Sequence, residues 1–286
     1  MGMAVSLKNV TKHYEKFTLD HVTLEIPKGC IMGLVGENGA GKTTLLKLIL
    51  EMIHRDEGEI KIDGISMEEL PEDWKNNVGA VISWLDFAAT MNASEVGTCM
   101  RSVFSGWQQE TYEQYLKRFQ IDPDKRIKEY SHGMKMKLNI VVAISHQAKL
   151  LILDEATSGL DPVVRDDILD LLLEFIQDEE HTVLISSHIT SDLEKIADYI
   201  AYLDMGKLKF CLNKDEMLDS YGVVRCTPED YEKIPKEFLK GVRKNRFEYE
   251  ALVNNRLQVK KQLPDLVVDT TSIEEIILFM VKGEPS

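Results

Sequence analysis

The sequence predicts an α/β fold with a mostly parallel sheet, interrupted by a helical insert and followed by a small α+β appendage. Three observations predict it. Ile31-Met32-Gly33-Leu34-Val35, Leu150-Leu151-Ile152-Leu153 and Thr182-Val183-Leu184-Ile185 are short apolar runs, the pattern of strands buried on both faces. Apolar residues then recur at helical spacing, at Leu45, Leu46, Leu48, Ile49 and Met52 and again over 168–176. Between about 84 and 145 the strand signals fade, and helical composition takes over.

The remaining elements follow in chain order. Val22, Leu24 and Ile26 alternate with polar residues before the turn Pro27-Lys28-Gly29. Ile60 and Ile62 alternate ahead of an Asp63-Gly64 turn, and 78–82 reads as another strand. Within the insert, 111–119 is helical in spacing, and a further helix starts near Ser131. After about Gly222, short strand-like and helical pieces mix with many charges and close in a helix over 273–281. The chain reads as a main domain over 1–222, its helical subdomain at about 84–145, and a small accessory domain over 223–286. There is no internal repeat and no low-complexity tract.

Bulk properties bound the function. The chain has 286 residues, 44% hydrophobic and 29% charged, enough for a sizeable core. A formal net charge of −14 argues against coating nucleic acid, which needs a Lys/Arg surface. It does not oppose nucleotide binding, which needs only a local nest of N–H groups and a lysine. The four cysteines, Cys30, Cys99, Cys211 and Cys226, form no CxxC pair, so neither a zinc site nor a disulfide framework is suggested, and a reducing cytosol is the simple expectation. No apolar run approaches the roughly 20 residues of a membrane span. The N-terminus does not read as a signal peptide, and the match of Gly2 and Ser6 to a myristoylation pattern reads as coincidence or a cloning remnant.

Gly36-Glu37-Asn38-Gly39-Ala40-Gly41-Lys42-Thr43-Thr44 fits GxxxxGK[ST] between a buried strand and a helix. Glycines let the backbone curl and aim successive N–H groups at phosphates, and the helix N-terminus adds partial positive charge there. Gly36, Asn38, Gly39, Ala40, Gly41, Lys42, Thr43 and Thr44 are therefore the expected nucleotide contacts. Lys42 is expected to reach the β- and γ-phosphates, and Thr43 to offer a hydroxyl to Mg²⁺. Asp154 and Glu155 end an apolar strand, on the side of a parallel sheet where ligands bind. Asp154 is expected to hold Mg²⁺, directly or through water, and Glu155 to orient and activate the attacking water. His188 follows another strand, where it could touch the γ-phosphate and sense its loss; a strand-end histidine by itself is more often structural.

With Ser131 and Gly133, then Ser158-Gly159-Leu160-Asp161, and His188 in order behind the phosphate loop, 3–222 resembles the nucleotide-binding domain of ABC transporters. The resemblance implies a P-loop NTPase (RecA-like) core with an antiparallel β edge. It points to a bacterial single-cassette subunit paired with a separate permease of the ABC-2 exporter kind. It implies ATP and Mg²⁺ as ligands, ATP hydrolysis coupled to transport, and a peripheral place on the cytoplasmic face of the cell membrane. Partners would be membrane-spanning permease subunits and a second cassette, an identical copy or a different one, with no nucleic acid. Ser131 and Gly133 match the positions that contact the γ-phosphate bound to the opposite subunit, and Asp161 would cross near that interface. Tyr14 sits where the family stacks an aromatic on adenine; a packed surface tyrosine is the other reading.

The sequence departs from the family in places. Tyr130-Ser131-His132-Gly133-Met134 stands for LSGGQ, and Ala156 stands for a usual Pro. Ser83-Trp84-Leu85-Asp86 stands where a glutamine is usual, with Ser83 in its place and Asp86 as a candidate acting through water. The aromatic region 84–107, with Phe87, Met91 and Phe104, reads either as the groove for permease coupling helices or as core. Two rival functions stay open at this point. A soluble ABC-type ATPase of translation or repair lacks support, since the chain has neither two cassettes nor a long coiled-coil insert. A nucleotide switch with little turnover is favoured by His132, Met134 and Ser83 and opposed by Glu155 and His188.

Overall fold

The computed structural model describes residues 2–82, 87–244 and 248–282. The chain divides into two compact units, Met1–Cys211 and Leu212–Ser286. The segment 83–86, which holds Ser83 and Asp86, the candidate substitutes for the family glutamine, lies outside the described residues.

The first unit opens with β1 (Met3–Tyr14), β2 (Phe17–Pro27), β3 (Ile31–Val35), α1 (Lys42–Ile49), β4 (Glu57–Ile62), β5 (Ile65–Ser66) and β6 (Val78–Val81). Three helices follow: α2 (Ala93–Val103), α3 (Gln109–Arg118) and α4 (His132–Ile144). The unit closes with β7 (Leu150–Asp154), α5 (Pro162–Phe175), β8 (Thr182–Ser187), α6 (Thr190–Ile196), β9 (Tyr199–Asp204) and β10 (Lys207–Asn213). An antiparallel sheet of order β2-β1-β4-β5 forms the expected edge. The main sheet has the order β10-β9-β3-β8-β7-β6, with β9, β3, β8, β7 and β6 all parallel.

Burial explains the strand signals. Every residue of β3, β7 and β8 is buried, because one sheet face meets α1 and the other meets helices. Leu45, Leu46, Leu48 and Ile49 of α1 join one apolar cluster with Val5, Leu7 and Val10 of β1 and with Met32, Leu34, Ile152 and Leu184 of the parallel sheet. Helix α1 is thus the filling between two sheets. It stops at Ile49, so Met52 lies beyond it and is 47% exposed. The helical insert has its own core of Val96, Tyr112, Leu116, Leu138 and Val141.

Capping sets the helix starts. Helix α5 begins at Pro162, earlier than the apolar spacing over 168–176 indicates. The Asp161 side chain accepts N–H bonds from Val163 and Val164 at 3.1 Å, and proline suits the first helical position. Helix α2 is held by a reciprocal Asn92–Glu95 capping box that the strand and helix periodicities do not reveal.

In the second unit come α7 (Lys214–Ser220), β11 (Gly222–Cys226), α8 (Pro228–Tyr231), β12 (Leu239–Lys244), β13 (Tyr249–Val253), α9 (Arg256–Gln262), β14 (Val268–Asp269) and α10 (Ile273–Lys282). Its antiparallel sheet has the order β12-β13-β11-β14 around Val224, Ala251, Val253 and Val259. Asn213 caps α7 by accepting from Asp215 and Glu216.

Ile152 is fully buried in the middle of the parallel sheet, so Ile152→Ala should cost about 2–5 kcal/mol in urea unfolding. His146 is buried, its ring nitrogens 3.2 Å from the Val142 and Val78 carbonyls. Burial holds its pKa below the usual 6.5 despite those carbonyls. The unfolded chain therefore binds the proton first, and stability is lost as pH falls from 6.5 toward the folded value. The melting temperature of His146→Gln should fall less than that of the parent between about pH 7.5 and about pH 5.5.

Candidate nucleotide and catalytic site

The parallel register brings the site together. Val35 pairs with Ser187 and Asp154 pairs with Ser186, so the carboxyl ends of β3, β8 and β7 lie side by side. Ligands of open parallel sheets bind in the crevice outside those ends. The glycine-rich turn leaves β3 and enters α1 there, and a cleft of about 530 Å³ opens beside it. Asn38, Lys42, Thr43 and Glu155 are among its lining residues, as are Lys16 and Phe17.

Two glycines have a steric reason. A Cβ on Gly36 would stand 2.3 Å from the Leu203 carbonyl oxygen, so β9 closes the space for any side chain. Gly41 has φ +108° at the N-cap of α1, with no side-chain cap, so the first N–H groups of the helix stay available to an anion. Lys42 is 6% exposed. Its ammonium donates to Gly36 O at 2.7 Å and Glu37 O at 3.4 Å, and lies 3.3 Å from Glu155 Oε1. That last contact is a charge contact without hydrogen-bond alignment, since Oε1 accepts no hydrogen bond among the described residues.

The acidic strand end is wired to both neighbours. Thr43 Oγ1 donates to Asp154 Oδ2 at 2.8 Å, across 111 residues of chain. Ser186 Oγ donates to Asp154 Oδ1 at 2.6 Å and accepts from the Glu155 N–H at 3.1 Å. Glu155 takes a left-handed φ of +55°, which turns its side chain away from the strand direction and into the cleft. Its Oε2 lies 2.5 Å from His188 Nδ1. A hydroxyl beside a carboxylate is a hard oxygen pair, the donor chemistry that suits Mg²⁺ when phosphates and waters complete the shell.

The other expected residues lie elsewhere. Ser131 caps α4 by accepting from the Met134 N–H at 3.2 Å, and buried Gly133 abuts Val164 of α5. Asp161 is exposed at the start of α5. None of the three lines the cleft. His132 Nε2 lies 3.4 Å from Ser158 O, joining the start of α4 to the turn that follows Glu155. Tyr14 is 46% exposed, 6.4 Å ring to ring from Phe17, and is not among the cleft-lining residues. Lys16 and Phe17 were not singled out from the sequence, although the hairpin that carries Tyr14 carries them too. The role of Ser186 depends on strand pairing and has no local sequence signal. Gly36→Ala should weaken ATP affinity by about tenfold or more, measured by titration calorimetry, because the loop must shift to clear Leu203.

Comparison with known proteins agrees with this geometry. The family model described as ABC transporter matches residues 19–158. The chain is 33% identical over 220 residues to the bacitracin transport ATP-binding protein BcrA of Enterococcus faecalis, covering 76% of this chain and 71% of that one. It is 33% identical over 215 residues to the lantibiotic transport ATP-binding protein SrtF of Streptococcus pyogenes, covering 71% and 88%. Among solved structures, a dimeric post-hydrolysis ATP-binding cassette bound to ADP and Pi superposes with a TM-score of 0.65 at 23% identity, covering 73% of this chain and 98% of that one. The chain therefore belongs to the ABC transporter family, as an ATP-binding subunit that hydrolyses ATP.

Proposed function

We propose that this chain is the ATP-hydrolysing subunit of an exporter whose permease is a separate membrane protein of the ABC-2 kind. The single observation that carries the catalytic part is the junction of Lys42, Thr43, Asp154, Glu155 and His188 at the ends of adjacent parallel strands. ATP-binding subunits of this family work with membrane permeases and dimerise. Relatives named for bacitracin and lantibiotic transport support export, with a peptide antibiotic as the class of cargo. Among the described residues no helix is long and apolar enough to cross a membrane, so the passage itself falls to the permease.

In this reading the backbone N–H groups of the phosphate loop and Lys42 bind the phosphates. Thr43 and Asp154 would hold Mg²⁺, which supplies charge neutralisation to the phosphates. Glu155 is the general base: it accepts the proton of the attacking water while His188, beside it, orients the carboxylate. Phosphoryl transfer asks mainly for positioning and charge stabilisation. Ser131, Gly133 and Asp161 lie outside the cleft, which accords with a role toward the nucleotide of a second copy in a head-to-tail dimer. Residues 223–286, within the second unit, would serve as an accessory domain to the cassette. The apolar hollow lined by Met52, Val81, Phe87, Met100, Phe104 and His146 suits a coupling helix of the permease.

Glu155→Gln removes the base and keeps the shape, so turnover should drop about 10²–10⁴-fold while ATP still binds. Parent-like turnover in that variant would remove Glu155 from the mechanism. Co-expression with a candidate multi-span permease should give a detergent-stable complex with raised turnover. A cassette that stays alone beside every candidate permease, its turnover unchanged, would remove the exporter reading.

A further inference from the structure

A two-residue turn, Glu15-Lys16, joins β1 to β2, and Tyr14 stands opposite Phe17 across it. Phe17 pins this turn to the phosphate loop. A Cβ on Gly41 would stand 2.8 Å from the tip of the Phe17 ring, so the ring lies directly on the loop at the start of α1. Phe17 also packs against the apolar cluster that contains α1. Lys16 is therefore brought to the cleft by a short, anchored turn, and it lines the cleft beside Phe17. Its neighbour Glu15 does not.

The charges of the cleft leave Lys16 a definite task. Four charged residues line it, Lys16 and Lys42 against Glu37 and Glu155, and their formal charges cancel. Asp154, bonded to the Thr43 hydroxyl, adds one more carboxylate beside them. Lys42 is already compensated by Glu155 Oε1 at 3.3 Å and by two backbone carbonyls. Lys16 is exposed and has neither a hydrogen bond nor an ion pair among the described residues. Without it the lining would hold one cation against two acids, in a chain whose formal net charge is −14. Such a field opposes a polyphosphate. An ammonium on a flexible stem is a point charge that can follow phosphate oxygens.

We propose that Lys16 is a second polyphosphate-binding lysine of the ATP site, supplied by the β1–β2 turn rather than by the phosphate loop. It reads charge and not the base. It offsets Glu37, the acid that the loop itself brings into the cleft. The inference rests on the reading of this cleft as the ATP site.

The test is titration calorimetry of the full chain carrying Lys16→Met, Lys16→Glu or Lys16→Arg, with ATP, GTP and inorganic tripolyphosphate as probes. Lys16→Met should weaken ATP by about threefold to tenfold, and Lys16→Glu by more. GTP and tripolyphosphate should weaken by the same factors, because the contact is to phosphate. The loss should shrink as salt rises from about 0.05 M to about 0.5 M. Lys16→Arg keeps the charge and should bind like the parent. In turnover, Lys16→Met should raise KM for ATP and leave kcat within about twofold, as loss of uniform binding does. Melting temperatures should stay near that of the parent, since the side chain is exposed and makes no contact that folding needs.

ATP affinity within about twofold of the parent in Lys16→Glu would overturn the proposal. So would a loss confined to ATP with tripolyphosphate bound normally, which would place Lys16 on the nucleoside. Lys16→Arg as weak as Lys16→Met would overturn it too, since charge would then play no part. Lys42→Ala measured alongside separates the two readings: if it binds ATP and tripolyphosphate like the parent, the cleft is not the nucleotide site, whatever Lys16 does.

Discussion

Strand β8 lies between β3 and β7 in parallel register with both, and that pairing fixes the relation between the phosphate loop and the carboxylates. Side chains alternate across a strand, so a slip of one residue would turn Ser186 to the opposite face from Asp154. Asp154 would lose its 2.6 Å partner and the Glu155 N–H would lose an acceptor. The burial of all three strands on both faces resists such a slip, because every residue of each strand has apolar neighbours to lose. The fold thus protects the site's geometry with the same apolar contacts that stabilise the domain.

Within that frame the site stores local cost. Glu155 occupies a left-handed backbone conformation, at on the order of 1–3 kcal/mol for a non-glycine residue. Two acceptors on Ser186, its carbonyl and its hydroxyl, hold the Glu155 N–H at 3.1 Å and sustain that conformation. Lys42 is surrounded by two carbonyls and one carboxylate, so its charge is compensated in the absence of phosphate.

The sequence carried much of this arrangement, and physical reasons separate what it carried from what it did not. The continuous apolar runs at Ile31, Leu150 and Thr182 read directly as buried strands, because burial on both faces leaves no other composition. The phosphate loop was legible because each glycine and the lysine answer a local need. The start of α4 at Ser131 was legible from its cap. By contrast, α5 starts at Pro162 because of the Asp161 cap, while its first turn, Pro162-Val163-Val164-Arg165, buries no residue, so the buried stripe of Ile168, Leu169, Leu171 and Leu172 shows only the later turns. Strand β1 runs through register shifts near Val10, which break the two-residue alternation. Ser186 owes its role to a pairing partner 32 residues away, and no local pattern announces such a contact. Phe17 reaches the cleft because the hairpin turn carries it there.

Strand register, acting through Ser186, is proposed to hold both carboxylates for hydrolysis. The most direct measurement is single-turnover ATP hydrolysis and ATP affinity of Ser186→Ala. The account predicts a rate lower by on the order of tenfold or more, with ATP affinity near that of the parent, because Asp154 and Glu155 both lose a positioning bond. A parent-like rate in a variant that binds ATP normally would contradict it.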